Sequence, residues 1–179
     1  SSEHILIIRL SAIGDVAMTV PVVYSLARYF PSLRISVVSR PYARAFFSGT
    51  GNNVEFIGVD LKKEYAGVKG LNKLYNLLKS KNFTAVADMH DILRTKYLRL
   101  RFRMNGKKVA VIDKHRKGKR LLTRQHNKVM KQQASSFDNY KEVLAKLGYN
   151  FNIEFNSIFE GRNLYFNLIL DKFGEKKSK

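Results

Sequence analysis

The sequence predicts a parallel, doubly wound α/β sheet. Two patterns carry that expectation. Short, almost uninterrupted apolar runs recur as far as Ile112, as strands buried on both faces require, and segments of helical periodicity separate them. A third observation orients the sheet. The first run, Ile5-Leu6-Ile7-Ile8-Arg9-Leu10, passes straight into Ser11-Ala12-Ile13-Gly14-Asp15-Val16, a Ser/Gly turn that presents one carboxylate. In an open α/β sheet the carboxyl end of the first strand opens onto the ligand crevice. Asp15 is therefore the first candidate for chemistry.

The elements follow in order. Ile5–Leu10 reads as a buried strand. A helix unbroken from Gly14 would carry Pro21 in its interior, at a cost of roughly 3 kcal/mol. The expected helix is therefore Val20–Phe30, capped by Thr19 with Pro21 in its first turn, and Ser11–Met18 is a loop or single turn. Arg34–Ser39 is the second strand, Pro41–Ser48 a short helix, residues 49–53 a turn and Val54–Val59 the third strand. Leu71, Leu74, Tyr75, Leu77 and Leu78 repeat at helical spacing, so Gly70–Lys81 is an amphipathic helix. Phe83–Asp88 is the fourth strand. Ile92–Met104 is a helix with Leu93, Tyr97, Leu100 and Met104 expected inward, and Lys108–Ile112 is the fifth strand. Beyond Asp113 the periodicity weakens. Lys114–Lys131 reads as a loop or irregular helix, Ser136–Leu147 as a helix closed by Gly148, Asn150–Glu160 as extended and Asn163–Phe173 as a last helix. Residues 174–179 resemble a linker. The corresponding domain reading is one unit over 1–160, with the final helix and the start of an interdomain linker over 161–179.

A chain of 179 residues with 45% apolar content suits one α/β domain with a proper core and is too short for two large ones. No apolar run approaches the ~18 residues of a membrane-spanning helix. The absence of cysteine excludes disulfides, thiol catalysis and Cys-ligated zinc. Charge is the outlier: 33 Lys and Arg against 14 acids, a net +19. The segment Arg94–Lys131 holds fifteen Lys or Arg and one acid, Asp113. A basic field that concentrated implies a polyanionic partner, against the plainer reading of a solvated basic face.

Three places carry candidate chemistry. Asp15, at a strand end beside a helix, is placed to accept a proton as a general base. It is equally a helix-start acid favoured by the dipole. Ser11 and Gly14 fit a tight turn that lets a ligand approach. A single glycine makes no dinucleotide fingerprint, and no Walker motif occurs. Asp88-Met89-His90-Asp91 ends the fourth strand at the same crevice. One His with two acids is a weak metal set, so no metal site is expected; a hydrogen bond from His90 to substrate and a capping role for Asp91 fit better. The third place is the basic run from Lys114 to Lys128, where Lys117, Lys119, Arg120, Arg124 and Lys128 can bind phosphate or carboxylate. No Phe, Tyr or Trp lies between Asp113 and Phe137, which argues against single-stranded nucleic acid. Lys62 and Lys63 form a smaller cluster after the third strand. The residues alone leave a second function open, a stand-alone basic module that binds phosphorylated glycolipid or nucleic acid.

The run Ile5–Val16, then Thr19-Val20-Pro21 and Phe30-Pro31, resembles the start of bacterial lipopolysaccharide heptosyltransferases, glycosyltransferase family nine. Phe83–His90 followed by Leu93-Arg94-Thr95 is similar to that family's second recurring stretch, with Asp91-Ile92 standing where the family usually has Gly. Lys131-Gln132-Gln133 resembles family members as well. The likeness covers the N-terminal half of such an enzyme. It implies a Rossmann-like domain, half of a GT-B glycosyltransferase, with the donor domain absent from these 179 residues. By this resemblance Asp15 is the base for inverting transfer of heptose from ADP-heptose to the lipopolysaccharide inner core. Ser11, Gly14, Lys62, Lys63, His90, Arg94, Lys117, Lys119, Arg120, Arg124 and Lys128 hold an anionic lipid-linked sugar acceptor. No cofactor beyond the ADP-heptose donor and no specific nucleic acid is expected. The expected place is the cytoplasm, with peripheral contact at the inner-membrane surface.

Overall fold

The structure, a computed structural model, describes residues 2–114 and 125–153, without the side chains of residues 125–135. Five strands, β1 (His4–Ile8), β2 (Arg34–Ser39), β3 (Val54–Gly58), β4 (Ala85–Asp88) and β5 (Lys108–Val111), form one sheet in the order β3-β2-β1-β4-β5. All neighbours are parallel, with Ile5 opposite Ile35 on one side and Ala85 on the other. Strand order reverses beside β1, the Rossmann-like arrangement, and the crevice between the carboxyl ends of β1 and β4 is the switch point. Every residue of β1 is buried, which explains the unbroken apolar run Ile5–Ile8 that follows His4.

Helices cover both faces. α1 (Ile13–Tyr29), α4 (Gln125–Lys146) and a 3₁₀ helix at Pro41–Phe47 enclose one core. It includes Ile5, Ile7, Val16, Val20, Val23, Leu26, Phe137, Tyr140 and Leu144. α2 (Gly67–Lys79) and α3 (Leu93–Met104) enclose the other, with Leu6, Ile8, Leu74, Leu78, Leu98 and Phe102.

Three expectations are corrected. α1 begins at Ile13, not Val20, and runs through Pro21. Pro21 leaves the Ala17 carbonyl without its helical donor, and its ring crowds that carbonyl, a combined cost of about 3 kcal/mol. Burial outweighs that cost, because Val16, Val20, Val22, Val23 and Leu26 all pack away from water, each at about 1.5–3 kcal/mol. Thr19 is thus no cap; its hydroxyl donates to the Val16 carbonyl at 2.6 Å. α3 is rotated from its expected phase. Thr95, Leu98 and Phe102 face the core and Tyr97 packs half-buried against it as expected, while Leu93, Leu100 and Met104 are exposed. α4 starts at Gln125, earlier than the expected Ser136. Once Phe137, Tyr140, Val143 and Leu144 dock, adding turns at the N-terminal end is cheap. The expected extended residues beyond Ile153, the helix Asn163–Phe173 and the linker to 179 lie outside the described residues.

Candidate functional site

β1 ends at Ile8, so Arg9 and Leu10 belong to the crevice loop and not to the strand. Arg9 is the one charge within the first apolar run, and it organises the site. Its Nη1 donates to the Met89 carbonyl beyond β4 at 2.9 Å. Its Nη2 pairs with Asp15 Oδ2 at 3.1 Å. The Arg9 side chain is only 8% exposed and that of Asp15 28%. A buried, doubly anchored guanidinium therefore fixes a carboxylate that still reaches solvent. Asp15 stands in the first turn of α1, where the helix dipole favours an acid. The buried Tyr140 of α4 donates its hydroxyl to the Asp15 carbonyl at 3.2 Å and ties that turn down from the other side. Burial pushes the Tyr140 hydroxyl up to about 12, with Arg9 opposing the shift, so it stays a neutral donor.

The end of β4 forms the opposite wall. Asp88 is fully buried and accepts the backbone N–H groups of His90 (2.9 Å) and Asp91 (3.0 Å). Arg99 of α3 donates through Nη1 to Asp88 Oδ2 at 2.8 Å and to Asp91 Oδ1 at 2.9 Å. Asp91 has φ +52°, the left-handed region. That conformation suits Gly, and Asp is among the few other residues that tolerate it. Lys114, after β5, donates to the Asp91 carbonyl at 2.8 Å.

His90 is buried and accepts the Leu10 N–H on Nδ1 at 3.3 Å. Nε2 is then the nitrogen that carries hydrogen and can donate to a ligand. Burial first, then Arg9, lowers its pKa to about 4. The sign follows: between pH 6.5 and 4 the unfolded chain binds a proton that the folded chain refuses, so acidification removes stability. We expect a loss of up to about 3 kcal/mol across that window and little further change from this group outside it. Urea unfolding from pH 7 to 4 should show this slope reduced in His90→Gln. His4, also lowered chiefly by burial, leaves a residual slope of the same sign. Equal slopes in the two proteins would contradict the assignment.

The structure brings Ser11, Gly14, Asp15 and His90 to the β1/β4 crevice. A side chain added at Gly14 would meet open space. Lys62 and Lys63 are exposed in the turn after the edge strand β3, their backbone N–H groups bonded to Asp60 Oδ1. Arg94 is exposed in the first turn of α3. Lys117, Lys119, Arg120 and Arg124 lie outside the described residues, as does the Lys128 side chain. Arg9, Arg99 and Tyr140 were not among the sequence candidates. Among the described residues, four buried side-chain atoms lack a partner: Arg9 Nε, Ser39 Oγ, Arg40 Nε and Arg99 Nε. Arg9, Ser39 and Arg40 stand at or just past the carboxyl ends of β1 and β2, and Arg99 holds the β4 end.

A cavity of about 460 Å³ lies instead at the amino ends of the strands, lined by His4, Arg34, Asn53, Glu55 and Lys81 among others. Its polar groups satisfy one another: His4 Nε2 lies 2.7 Å from Ser36 Oγ, which donates to Glu55 Oε2 at 2.9 Å, and Lys81 pairs with Glu55 at 2.9 Å. The crevice at the carboxyl ends, where the Asp15 carboxylate still reaches solvent, is the better site.

No protein-family model and no curated protein sequence matches the chain. In three dimensions it is similar to the glycosyl transferase family 9 structure from Veillonella parvula DSM 2008. The TM-score is 0.58 at 24% identity, over 86% of this chain and 46% of that one. It is also similar to E. coli heptosyltransferase WaaC with ADP, with a TM-score of 0.54 at 19% identity, over 84% of this chain and 49% of that one. The same E. coli enzyme with ADP-2-deoxy-2-fluoro heptose gives 0.52 at 19%, over 84% and 50%. The chain thus spans about half the length of these structures. At such identities the likeness establishes the fold.

Proposed function

We propose that this chain is the acceptor-binding, catalytic-base half of an inverting GT-B glycosyltransferase that moves heptose from ADP-heptose to the lipopolysaccharide inner core. The observation that carries the reading is the Arg9–Asp15 pair at the switch point, where a buried cation presents a solvent-reaching carboxylate to the crevice. The fold likeness to structures of a heptosyltransferase with ADP and with a fluorinated ADP-heptose supports it. In this reading Asp15 takes the proton of an acceptor hydroxyl. The hydroxyl oxygen then bonds to the anomeric carbon of heptose, the bond from that carbon to the diphosphate oxygen breaks, and ADP leaves with configuration inverted. Arg9 positions the carboxylate and His90 Nε2–H donates to an acceptor oxygen. Ser11 and Gly14 leave room beside the base, while Lys62, Lys63, Arg94 and the basic run from Lys117 to Lys128 hold the acceptor's anionic groups. A second domain, as in chains twice this length, binds the donor. The stand-alone glycolipid or nucleic-acid module finds no support in these likenesses.

The test pairs turnover with binding. The isolated chain should bind a phosphorylated inner-core glycolipid without transferring heptose to it. Turnover at the rate of a two-domain enzyme would overturn the division of labour. Replacing Lys117, Lys119, Arg120 and Arg124 together with Ala should weaken glycolipid binding, by roughly 1.5–3 kcal/mol for each contact made out of water and less for exposed ones. Unchanged affinity would show that the run is a solvated face, and tighter binding of nucleic acid at physiological salt would favour the module.

A further inference from the structure

We propose that the cavity at the amino ends of the strands is a second ligand site, which binds a small phosphate monoester and draws a proton onto His4 as it fills. It lies at the far end of the sheet from the Asp15 crevice: His4 opens β1, and Arg9 follows the last residue of that strand. At about 460 Å³ the cavity has the size of a small-molecule site, and a phosphoryl group alone would fill only part of it. Asn52 and Ser80 line it beside Arg34, Lys81 and Glu55. Such walls suit a hydroxylated ester and not an apolar ligand. Among the described lining residues Glu55 is the only acid, and Lys81 and Ser36 already bond to it. The Lys81 ammonium keeps two further hydrogens to donate. The exposed Arg34 guanidinium makes no hydrogen bond or ion pair among the described residues. Its planar fork matches phosphate oxygens.

Hydrogen counting gives His4 its part. Nδ1 lies 3.3 Å from the Lys81 carbonyl, Nε2 2.7 Å from Ser36 Oγ, and Ser36 Oγ 2.9 Å from Glu55 Oε2. A carbonyl and a carboxylate only accept, so these three contacts need three hydrogens. A neutral imidazole and one hydroxyl hold two. Protonation of His4 supplies the third and completes the pairing. Burial opposes that step first, then the charges of Arg34 and Lys81, and the ring's pKa is held below its usual value although the Lys81 carbonyl and Glu55 favour the proton. Glu55 does not provide the missing hydrogen: burial pushes its carboxyl up, but the bonds from Lys81 and Ser36 bring it below the usual range. The other groups around the ring are settled. Phe83 packs on it at 4.5 Å, Thr84 bonds to the His4 backbone, and the Glu3 carboxylate accepts the Tyr149 hydroxyl at 2.7 Å. A dianion held by Arg34 and Lys81 offsets the two charges that repel the proton, and the protonated ring in turn favours the dianion. The coupling is reciprocal. An uncharged ligand would leave Arg34 unmatched, and a cation would be repelled by both basic groups. The inference rests on this cavity and not on the transferase reading, so either stands if the other fails.

The experiment follows the imidazole NMR signals of the histidine-labelled full chain through pH titrations. Sodium chloride, inorganic phosphate and glucose 6-phosphate are compared at equal ionic strength, so that screening alone is the same in all three. Saturating glucose 6-phosphate should move the His4 midpoint upward by about one pH unit relative to chloride, which corresponds to about tenfold tighter binding to the protonated ring. His90, at the other end of the sheet, should not move. Arg34→Gln replaces an exposed side chain, so the urea midpoint should stay where it is. That variant should bind the ester about tenfold or more weakly and lose the ester-induced movement of His4. A His4 midpoint equal in ester and in chloride would overturn the proposal. So would a movement that persists undiminished in Arg34→Gln, which would assign it to the general basic charge of the chain. Equal affinity for inorganic phosphate would overturn the choice of an ester and give the cavity to the free anion.

Discussion

If the proposed transferase reading holds, replacing Asp15 with Asn should slow single-turnover transfer, assayed with a donor-binding domain present, by about 10²–10⁴-fold while the protein remains folded. Asn keeps an oxygen for Arg9 Nη2, now 3.1 Å from the carboxylate, but cannot accept the acceptor's proton. Stability should fall by only about 1 kcal/mol, the usual worth of one weakened hydrogen bond to a charged group less what Asn retains. Acceptor affinity should change little. Single-turnover rate, acceptor binding and urea unfolding measured together separate the two roles the position can have. If Asp15 served only to complement the helix dipole, the stability change would appear alone and the rate would survive. A near-wild-type rate removes Asp15 from the chemistry and leaves His90 as the next candidate.

The second large effect is structural. Arg99→Met should destabilise the fold by about 3–5 kcal/mol, because it strands a charge at fully buried Asp88. The two backbone N–H bonds to Asp88 Oδ1 place the expected loss near the lower end. Adding Asp88→Asn to Arg99→Met should recover part of it, since a neutral amide needs no counter-ion. A loss below about 1 kcal/mol for Arg99→Met would mean that the turn's own N–H groups carry the carboxylate. The same variant should disturb the β4 end, where His90 and Asp91 both hang from Asp88.

The strands were legible because burial on both faces leaves a plain mark: β1, β2 and β4 are apolar runs in sequence and buried runs in space. Asp15 and His90 were legible for the complementary reason, as polar residues where such runs stop. The start of α1 was not, since the local penalty at Pro21 is visible in sequence and the tertiary burial that exceeds it is not. The phase of α3 was hidden by its two apolar stripes. What settles it is Arg99, which must point inward to reach Asp88, and no periodicity reports a partner eleven residues back. Arg9 did leave a signal, as the single charge in the first apolar run; reading that run as all strand concealed it.

The order of the strands has a consequence for how the chain acquires its site. β1 pairs with β2 across 30 residues, but with β4 only across 80. Closing the larger loop costs about 0.9 kcal/mol more in chain entropy, and long-range parallel pairing is the slow kind. During synthesis the central strand therefore waits, one edge unpaired, until the ribosome has delivered residues 85–90. Those residues bring the Met89 carbonyl that anchors Arg9 and the imidazole that receives the Leu10 amide. Nascent chains halted before residue 85 should display the β1 edge to chaperones, and their Asp15 carboxylate should lack a fixed bearing.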